Sequence, residues 1–409
     1  MTIETPHAYS RRPDVDVIII GAGFGGISAL YHLRKLGLKC AIIEKGKDIG
    51  GVWYWNQYPG ARTDSGIPSY ELDIPECWQT WTWSDPFPGH QEIRDFLDHC
   101  DRQIGIREHV IFEKKVIGAQ FIRDLSTWAV NLDNGSTLNS KYLICATGVT
   151  SQKPDTFDED LKSFHGKVYF PSNWPQHEIH PEGKDIARSY NTALPMPTQP
   201  SDGLDYQGKN EDRAKMIASR ITTPSGVALW APQEKGTFEV SDEEREAMYR
   251  YLYQRGALSF WLSGFNDVTK DKAANRLAYD FWALNTRSKI HDARKRDILA
   301  PIEPSYPFGV KRPGIDNGYF EQFNRESVDV VDLRRTPISA FKGDGIITED
   351  NTFRHHDIII PAIGFTTVIE NLKALGVTDI NGASLGKLWA NGIRTKRTEQ
   401  STHMYRYAG

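Results

Sequence analysis

The first 44 residues combine two hydrophobic patterns. Residues 15–20 form a β-branched, apolar run with little alternation, which is typical of a strand buried on both faces of a parallel sheet. Residues 25–36 then carry isoleucine and leucine at helical spacing, Gly37 ends the helix, and residues 39–44 return as a second apolar strand. This succession predicts a βαβ unit at the start of a doubly wound α/β domain.

Beyond residue 51 the periodicity is lost and then regained. Residues 52–89 are rich in Trp, Pro, Tyr and Gly, and an irregular stretch of this length indicates packing against a ligand. An amphipathic helix is predicted over 91–104. Strands are predicted over 110–116, 119–122, 128–132, 142–146, 329–333, 345–348 and 357–362. We expect the strands between 110 and 132 to form a small layer over the sheet, and the last strand to rejoin the central sheet.

The middle of the chain predicts a helical insert. Residues 176–240 are polar, rich in proline and without periodicity, so the pattern predicts little there. Ser241 and Glu244 then have the spacing of a capping box, which predicts a helix to about residue 254. A longer helix is predicted over 269–290.

Composition narrows the class of partner. The 409 residues are enough for two or three packed units, and 49 basic and 53 acidic residues are well mixed along the chain. This mixture argues against a nucleic-acid or anionic-membrane partner and favours a small molecule. The polar residues 1–14 and the short apolar run after them predict neither a signal peptide nor a membrane span. Four cysteines without CxxC spacing predict no zinc site and no disulfide framework, so we expect a cytoplasmic protein.

A glycine-rich loop joins the first predicted strand to the first helix. Gly21 allows a tight turn, Gly23 lets the backbone approach a pyrophosphate, and Gly26 lets helix and strand pack closely. The N-terminus of the helix, which begins near Phe24, then holds the negative charge of the phosphates. Glu44 ends the second strand, where its carboxylate is expected to accept hydrogen bonds from ribose hydroxyls. A carboxylate disfavours a 2′-phosphate, so this site suits FAD or NAD rather than NADP.

The next segment distinguishes FAD from NAD. Residues 50–64, GGVWYWNQYPGARTD, resemble the flavin-flanking segment of the FAD-dependent Baeyer–Villiger monooxygenases, the family of cyclohexanone monooxygenase. A buried carboxylate such as Asp64 in that setting needs a partner. The resemblance implies that this partner is an arginine.

Arg312 matches that arginine. Residues 308–320, FGVKRPGIDNGYF, resemble the family segment whose lysine contacts NADP and whose arginine faces the flavin. The resemblance implies that Arg312 is catalytic and that Asp64 orients it. Its role would be to stabilise the negative charge of a C4a-peroxyflavin, and then of the adduct formed when the peroxide attacks a ketone. Lys311 would be the NADP contact.

The chain departs from the family pattern in three places. Phe170 stands where the signature FxGxxxHxxxWP has histidine. After Lys184 the chain runs from Asp185 to Arg188 without the strand, second GxGxxG loop and helix that bind NADP in the family. We also expect that the residues up to Gly409 lack the last strand and helix of the flavin domain, so that this domain is truncated.

The resemblance implies a cofactor-binding set and a division into domains. FAD contacts are expected from Gly21, Gly23, Phe24, Gly26, Glu44, Gly51, Val52, Trp53, Tyr54, Trp55, Asp64, Tyr70 and Val116, and a remnant nicotinamide site from Arg62, Thr63, Arg188 and Lys311. The expected domains are an FAD-binding domain over 1–150 and 356–409, a remnant NADP-binding domain over 151–199 and 306–355, and the helical insert over 200–305. The fold class is therefore α/β with a reduced second nucleotide-binding domain.

The implied function is an FAD-dependent monooxygenase that uses NADPH and molecular oxygen to convert a ketone into an ester or lactone. Without a second phosphate loop three behaviours stay open: weak use of NADPH, an FAD-binding protein with redox-neutral or other chemistry, and a chain that folds poorly. His177 and His180, three residues apart in a proline-rich loop, predict surface residues rather than metal ligands. GxSxG, HExxH and P-loop motifs are absent from the sequence, so hydrolase and kinase functions have no support.

Overall fold

The computed structural model describes residues 13–68, 70–149, 159–188, 196–197, 210–223, 230–366 and 368–389. The chain divides into two compact units. The first unit comprises Met1–Tyr54, Gly105–Gln152 and Phe365–Gly409, and the second comprises Trp55–Ile104 and Lys153–Gly364. This division assigns Trp55–Ile104 to the second unit, whereas the sequence places these residues in the FAD-binding domain. The assignment of segments to FAD- and NADP-binding domains stays a prediction.

The described residues form fifteen strands and eleven α-helices. The strands are β1 (Val15–Ile20), β2 (Cys40–Ile43), β3 (Val110–Ile111), β4 (Val116–Ile122), β5 (Thr127–Leu132), β6 (Thr137–Cys145), β7 (Lys167–Val168), β8 (Ile186–Arg188), β9 (Met196–Pro197), β10 (Ile315–Asp316), β11 (Ile338–Lys342), β12 (Gly345–Thr348), β13 (Phe353–His355), β14 (Ile358–Ile360) and β15 (Val377–Thr378). The helices are α1 (Phe24–Lys35), α2 (Val52–Trp55), α3 (Pro75–Trp78), α4 (His90–Ile104), α5 (Asn210–Ser219), α6 (Asp242–Arg255), α7 (Ser259–Leu262), α8 (Lys272–Arg287), α9 (Ala293–Leu299), α10 (Val368–Ala374) and α11 (Leu385–Leu388).

The first unit is built on a seven-stranded sheet in the order β15-β4-β5-β6-β1-β2-β3. β1 pairs in parallel with β2 and β6, and α1 makes the crossover from β1 to β2. Ile18 and Ile19 are fully buried, as predicted for a strand covered on both faces. The predicted α/β class and its βαβ unit are therefore confirmed.

Two predictions about this sheet are wrong. The strands between 110 and 132 do not form a separate layer, because β3, β4 and β5 belong to the same sheet as β1. The strand predicted over 110–116 is also interrupted. Glu113 has a left-handed backbone with φ of 54°, and its N–H donates to the carbonyl of Gly46 at 3.1 Å, so the segment turns before β4 begins.

The second unit contains a small parallel sheet in the order β7-β14-β8 and an antiparallel sheet of β11, β12 and β13. β14 covers most of the strand predicted over 357–362, but it pairs with β7 and β8 and does not rejoin the central sheet, so that prediction is wrong. The strand predicted over 329–333 is also wrong. Asp332 accepts hydrogen bonds from the backbone N–H and the side chain of Arg334, which makes a turn there.

Helices α5 to α9 lie between residues 210 and 299 of the second unit. The predicted capping box is present: the Ser241 hydroxyl accepts from the Glu244 N–H at 3.2 Å, and the Glu244 carboxylate accepts from the Ser241 N–H at 3.0 Å. α8 begins where Asp271 caps its first turn, and it buries Tyr279 and Trp282 in an aromatic core. None of the helices in the described ranges is both long and apolar enough to cross a membrane.

Candidate functional site

The glycine loop after β1 has the geometry that the sequence predicts. Gly21 has φ of +104°, and a Cβ there would lie 2.5 Å from the carbonyl oxygen of Ala146. A Cβ at Gly26 would lie 1.9 Å from the carbonyl oxygen of Gly21. A side chain at either position would collide with backbone, so both glycines are required for β1 and α1 to meet this closely.

Gly23 and Gly51 allow a second close approach. A Cβ on Gly51 would lie 2.8 Å from the Gly23 Cα, and the Gly50 N–H donates to the Ala22 carbonyl at 2.9 Å. Gly23 is the N-cap residue of α1, and the first turn of this helix carries no acidic side chain. The positive end of the helix dipole is therefore not neutralised by its own first turn, which suits a pyrophosphate.

Glu44 follows β2 and is 5% exposed. Its Oε2 accepts from the Ala22 N–H at 2.8 Å and its Oε1 from the Gly46 N–H at 2.7 Å. The carboxylate is thus fixed beside the glycine loop by two backbone donors. Each oxygen keeps a second lone pair, so the group can still accept from ribose hydroxyls.

The remaining predicted FAD contacts of the first unit differ in what they expose. The N–H groups of Trp53 and Tyr54 donate to the carbonyls of Gly50 and Gly51, so α2 starts directly from the segment that meets the glycine loop. Phe24 and Val52 are half-buried. Val116 is 3% exposed and packs in the hydrophobic core, so its backbone is the part that a cofactor could contact.

In the second unit the structure brings Arg312 and Asp64 together, although they are 248 residues apart in the chain. Arg312 Nε donates to Asp64 Oδ2 at 2.7 Å, and Nη2 donates to Oδ1 at 2.7 Å. This is the bidentate geometry of a guanidinium–carboxylate pair. The pairing agrees with the prediction, but the expected burial is wrong: the side chains are 56% and 36% exposed, respectively.

The predicted nicotinamide residues also lie in the second unit. Arg188 ends β8 and is exposed, Arg62 forms an ion pair with Asp85 at 3.7 Å, and the Lys311 ammonium lies 4.6 Å from the centre of the Tyr306 ring. Thr63 is 3% exposed. Within the described part of the chain, no group hydrogen-bonds to the buried Thr63 Oγ1, nor to Gln57 Nε2. Buried polar atoms usually have partners, so these two indicate a ligand beside the segment.

Aromatic residues surround this segment. Burial raises the pKa of the Tyr58 phenol, with Arg188 opposing and Asp64 adding to the effect, so the ring lies near both charges. Tyr58 packs edge-on against Trp174 at 6.5 Å, and the Trp174 N–H donates to the Trp55 carbonyl at 3.3 Å. Tyr70 is half-buried, and its N–H donates to the carbonyl of Gly66 at 3.4 Å. Phe170, at the histidine position of the family signature, packs against a small hydrophobic cluster.

Sequence reasoning missed two features of the second unit. Ser65 is 8% exposed, and its hydroxyl accepts from Arg312 Nη2 at 3.0 Å. Glu71 is fully buried and paired with Arg213 of α5, while Trp83 Nε1 also donates to it at 2.8 Å. An acidic residue in the aromatic stretch 70–83 could have indicated a buried partner, but nothing in the sequence pointed to Arg213.

A group of potential metal ligands lies at the start of β8 and β14. Ligand atoms of Asp185, His355 and Asp357 lie within 4.8 Å of one another. His355 instead makes ion-pair contacts, with Nδ1 at 3.3 Å from Asp185 and Nε2 at 3.4 Å from Asp344. Asp185 and His355 are exposed, and we assign no metal to the group.

Comparison with known proteins matches residues 19–81 to the NAD(P)-binding Rossmann-like domain family. This range contains the glycine loop, Glu44 and the segment that follows. One relative, the FAD-binding monooxygenase acrE of Aspergillus aculeatus, is 37% identical over 413 residues, which cover 95% of this chain and 70% of the relative. Cyclopentanone 1,2-monooxygenase of a Comamonas species is 30% identical over 95% of this chain and 75% of its own length.

Among solved structures, the complex of OTEMO with FAD and NADP is similar to this chain with a TM-score of 0.88. The sequences are 27% identical, and the match covers 94% of this chain and 77% of that one. The likeness therefore extends over both compact units and beyond the Rossmann-like segment.

Proposed function

The chain belongs to the family of FAD-binding monooxygenases of the Baeyer–Villiger type, and on that premise we propose that it binds FAD and oxygenates a ketone. The overall reaction consumes the ketone, molecular oxygen, NADPH and a proton, and it yields an ester or lactone, NADP⁺ and water. One oxygen atom of O₂ enters the product beside the carbonyl carbon, and the other leaves as water.

The first unit supports the FAD part of the proposal. The pyrophosphate would lie at the N-terminus of α1, where Gly21, Gly23 and Gly26 keep side chains away from the backbone. Glu44 would hold the ribose, since its carboxylate is already oriented by the N–H groups of Ala22 and Gly46. FAD, when bound, supplies the activation of molecular oxygen that amino-acid side chains cannot provide.

The observation that carries the oxygenation proposal is the bidentate pair of Arg312 and Asp64. Asp64 occupies Nε and one hydrogen of Nη2, which fixes the plane of the guanidinium. Within the described residues no group accepts from Nη1 of Arg312. We propose that this edge of the cation stabilises the negative charge that develops on the substrate oxygen. Loss of one such donor typically slows a reaction by about 100- to 1000-fold.

The test is to purify the protein, record its flavin spectrum and supply NADPH, ¹⁸O₂ and a panel of cyclic and open-chain ketones. We expect tightly bound FAD and a product that has gained one ¹⁸O atom. Arg312→Ala serves as the matched variant and is expected to keep FAD while losing the ester. Folded protein that neither contains flavin nor takes up added FAD would contradict the proposal at its base.

A second candidate is an FAD-binding protein that uses NADPH poorly. One observation favours it: the 409 residues contain a single GxGxxG motif. Anaerobic mixing with NADPH separates the two candidates, because a competent monooxygenase bleaches its flavin before oxygen is admitted.

A further inference from the structure

We infer that Ser65 is a positioning residue for Arg312, and this inference rests on the proposed role of Arg312 in oxygenation. The Ser65 hydroxyl accepts from Arg312 Nη2 at 3.0 Å and lies 3.4 Å from Asp64 Oδ1, to which it can donate. Nη2 also donates to the same Asp64 oxygen at 2.7 Å. The three side chains therefore close a ring in which the hydroxyl acts both as acceptor and as donor.

The ring restricts a motion that the ion pair alone permits. Two parallel hydrogen bonds between a guanidinium and a carboxylate hold the groups side by side, but the planar pair can still swing on its long side chains. Both side chains are partly exposed, so surrounding atoms do not stop this swing. Ser65 has a short side chain and is 8% exposed, which makes it a nearly fixed third point of contact.

The backbone around Ser65 explains why it can serve as that point. The Thr63 N–H donates to the Pro88 carbonyl at 3.1 Å, and the Ile67 N–H donates to the Pro86 carbonyl at 2.9 Å. The loop that presents Asp64 and Ser65 is thus held on both sides by one neighbouring segment. Three of the five N–H groups of Arg312 are directed at this loop, and the two on Nη1 are left for a ligand.

The test measures the motion of Arg312 and the coupling of NADPH use to ester formation. In FAD-free protein with ¹⁵N-labelled arginine, Ser65→Ala should speed rotation about the Nε–Cζ bond of Arg312 by about 3- to 10-fold, the scale of one hydrogen bond. Arg312→Lys assigns the signal. In the FAD-loaded enzyme the same variant should make about 3- to 10-fold less ester per NADPH consumed, with FAD affinity unchanged.

Two further variants show whether the hydroxyl is responsible. Ser65→Thr retains the hydroxyl and should restore both readouts. Ser140→Ala removes a fully buried serine hydroxyl of the first unit, which donates to the Tyr142 carbonyl at 2.8 Å, and should change neither. Equal rotation rates in the parent and in Ser65→Ala would overturn the inference. A faster rate in Ser65→Ala, in a protein whose parent makes no ester, would instead refute the proposed function and leave the positioning contact established.

Discussion

The chain contains two groups of parallel strands, and only one of them leads into a phosphate loop. In the first unit β1 ends at Gly21, and contacts at Gly21 and Gly26 bring the strand and α1 to backbone distance. In the second unit β8 pairs in parallel with β14, yet residues 188–202 contain no glycine. Parallel strands alone therefore do not make a dinucleotide site. The glycines and the helix start that follow the strand decide whether a phosphate can approach the backbone.

The largest expected effect is the loss of flavin from the loop in the first unit. Gly23→Val should abolish FAD retention, because its methyl groups would press on Gly51 or occupy the space that the pyrophosphate needs at the start of α1. The measurement is flavin absorbance per folded protein, with folding checked by circular dichroism. Gly25→Ala is the matched control, since a Cβ there would meet only the Ala146 side chain, at 3.9 Å. Equal flavin content in the two variants would show that the phosphates bind elsewhere.

A second prediction asks whether the second unit contributes chemistry. Arg312→Lys keeps the charge but loses the planar group that matches Asp64. We expect FAD affinity to survive and ester formation to fall by about 100-fold or more, the scale of one lost oxyanion donor. Steady-state product assays with a fixed ketone provide the measurement. Unchanged rates in Arg312→Lys and Arg312→Ala would show that Arg312 is a surface residue with no part in oxygenation.

Removal of the ribose contact should have a smaller effect. Glu44→Ala deletes a carboxylate that holds two backbone N–H groups beside the glycine loop and would accept from the ribose. FAD binding should weaken by about 1–3 kcal/mol, the scale of hydrogen bonds to a charged group. Glu108→Ala removes an exposed carboxylate of the same unit and should leave the affinity measured by FAD titration unchanged. A Glu44→Ala protein with the affinity of the parent would move the ribose to another acceptor.

The contrast between the two groups of strands also predicts slow hydride transfer. Arg188 and Lys311 offer positive charge, but the sequence supplies no second glycine loop for the NADP pyrophosphate. We expect anaerobic NADPH to reduce the bound flavin at less than about 1 per second, at least tenfold below the typical turnover of enzymes. Stopped-flow absorbance gives the rate, and dithionite serves as the control reductant. Reduction at about 10 per second or faster would show that this chain holds NADPH without the loop.

Local patterns predicted much of this structure, and long-range contacts explain what they did not predict. β1, α1 and the capping box at Ser241 each depend on residues close in sequence, so their spacing was sufficient. The partners of β14 could not be predicted, because an apolar strand fits either sheet and its hydropathy does not choose between them. Arg312 and Asp64 were paired by family resemblance alone, which indicated the contact but not its exposure.

The smallest expected effect concerns stability and separates two ion pairs of the second unit. Arg312 and Asp64 are partly exposed, so solvent screens their attraction, and Arg312→Ala should change the free energy of unfolding by no more than about 1 kcal/mol. Arg213 and Glu71 are 5% and 0% exposed, and Arg213→Ala would leave a buried carboxylate without its cation. Breaking such a pair typically costs about 3–5 kcal/mol. Burial already raises the pKa of Glu71, which shows how unfavourable its charged form is there. Urea unfolding of both variants gives the two differences. A loss of about 3 kcal/mol or more in Arg312→Ala would mean that this pair is buried in solution and that Arg312 also stabilises the fold.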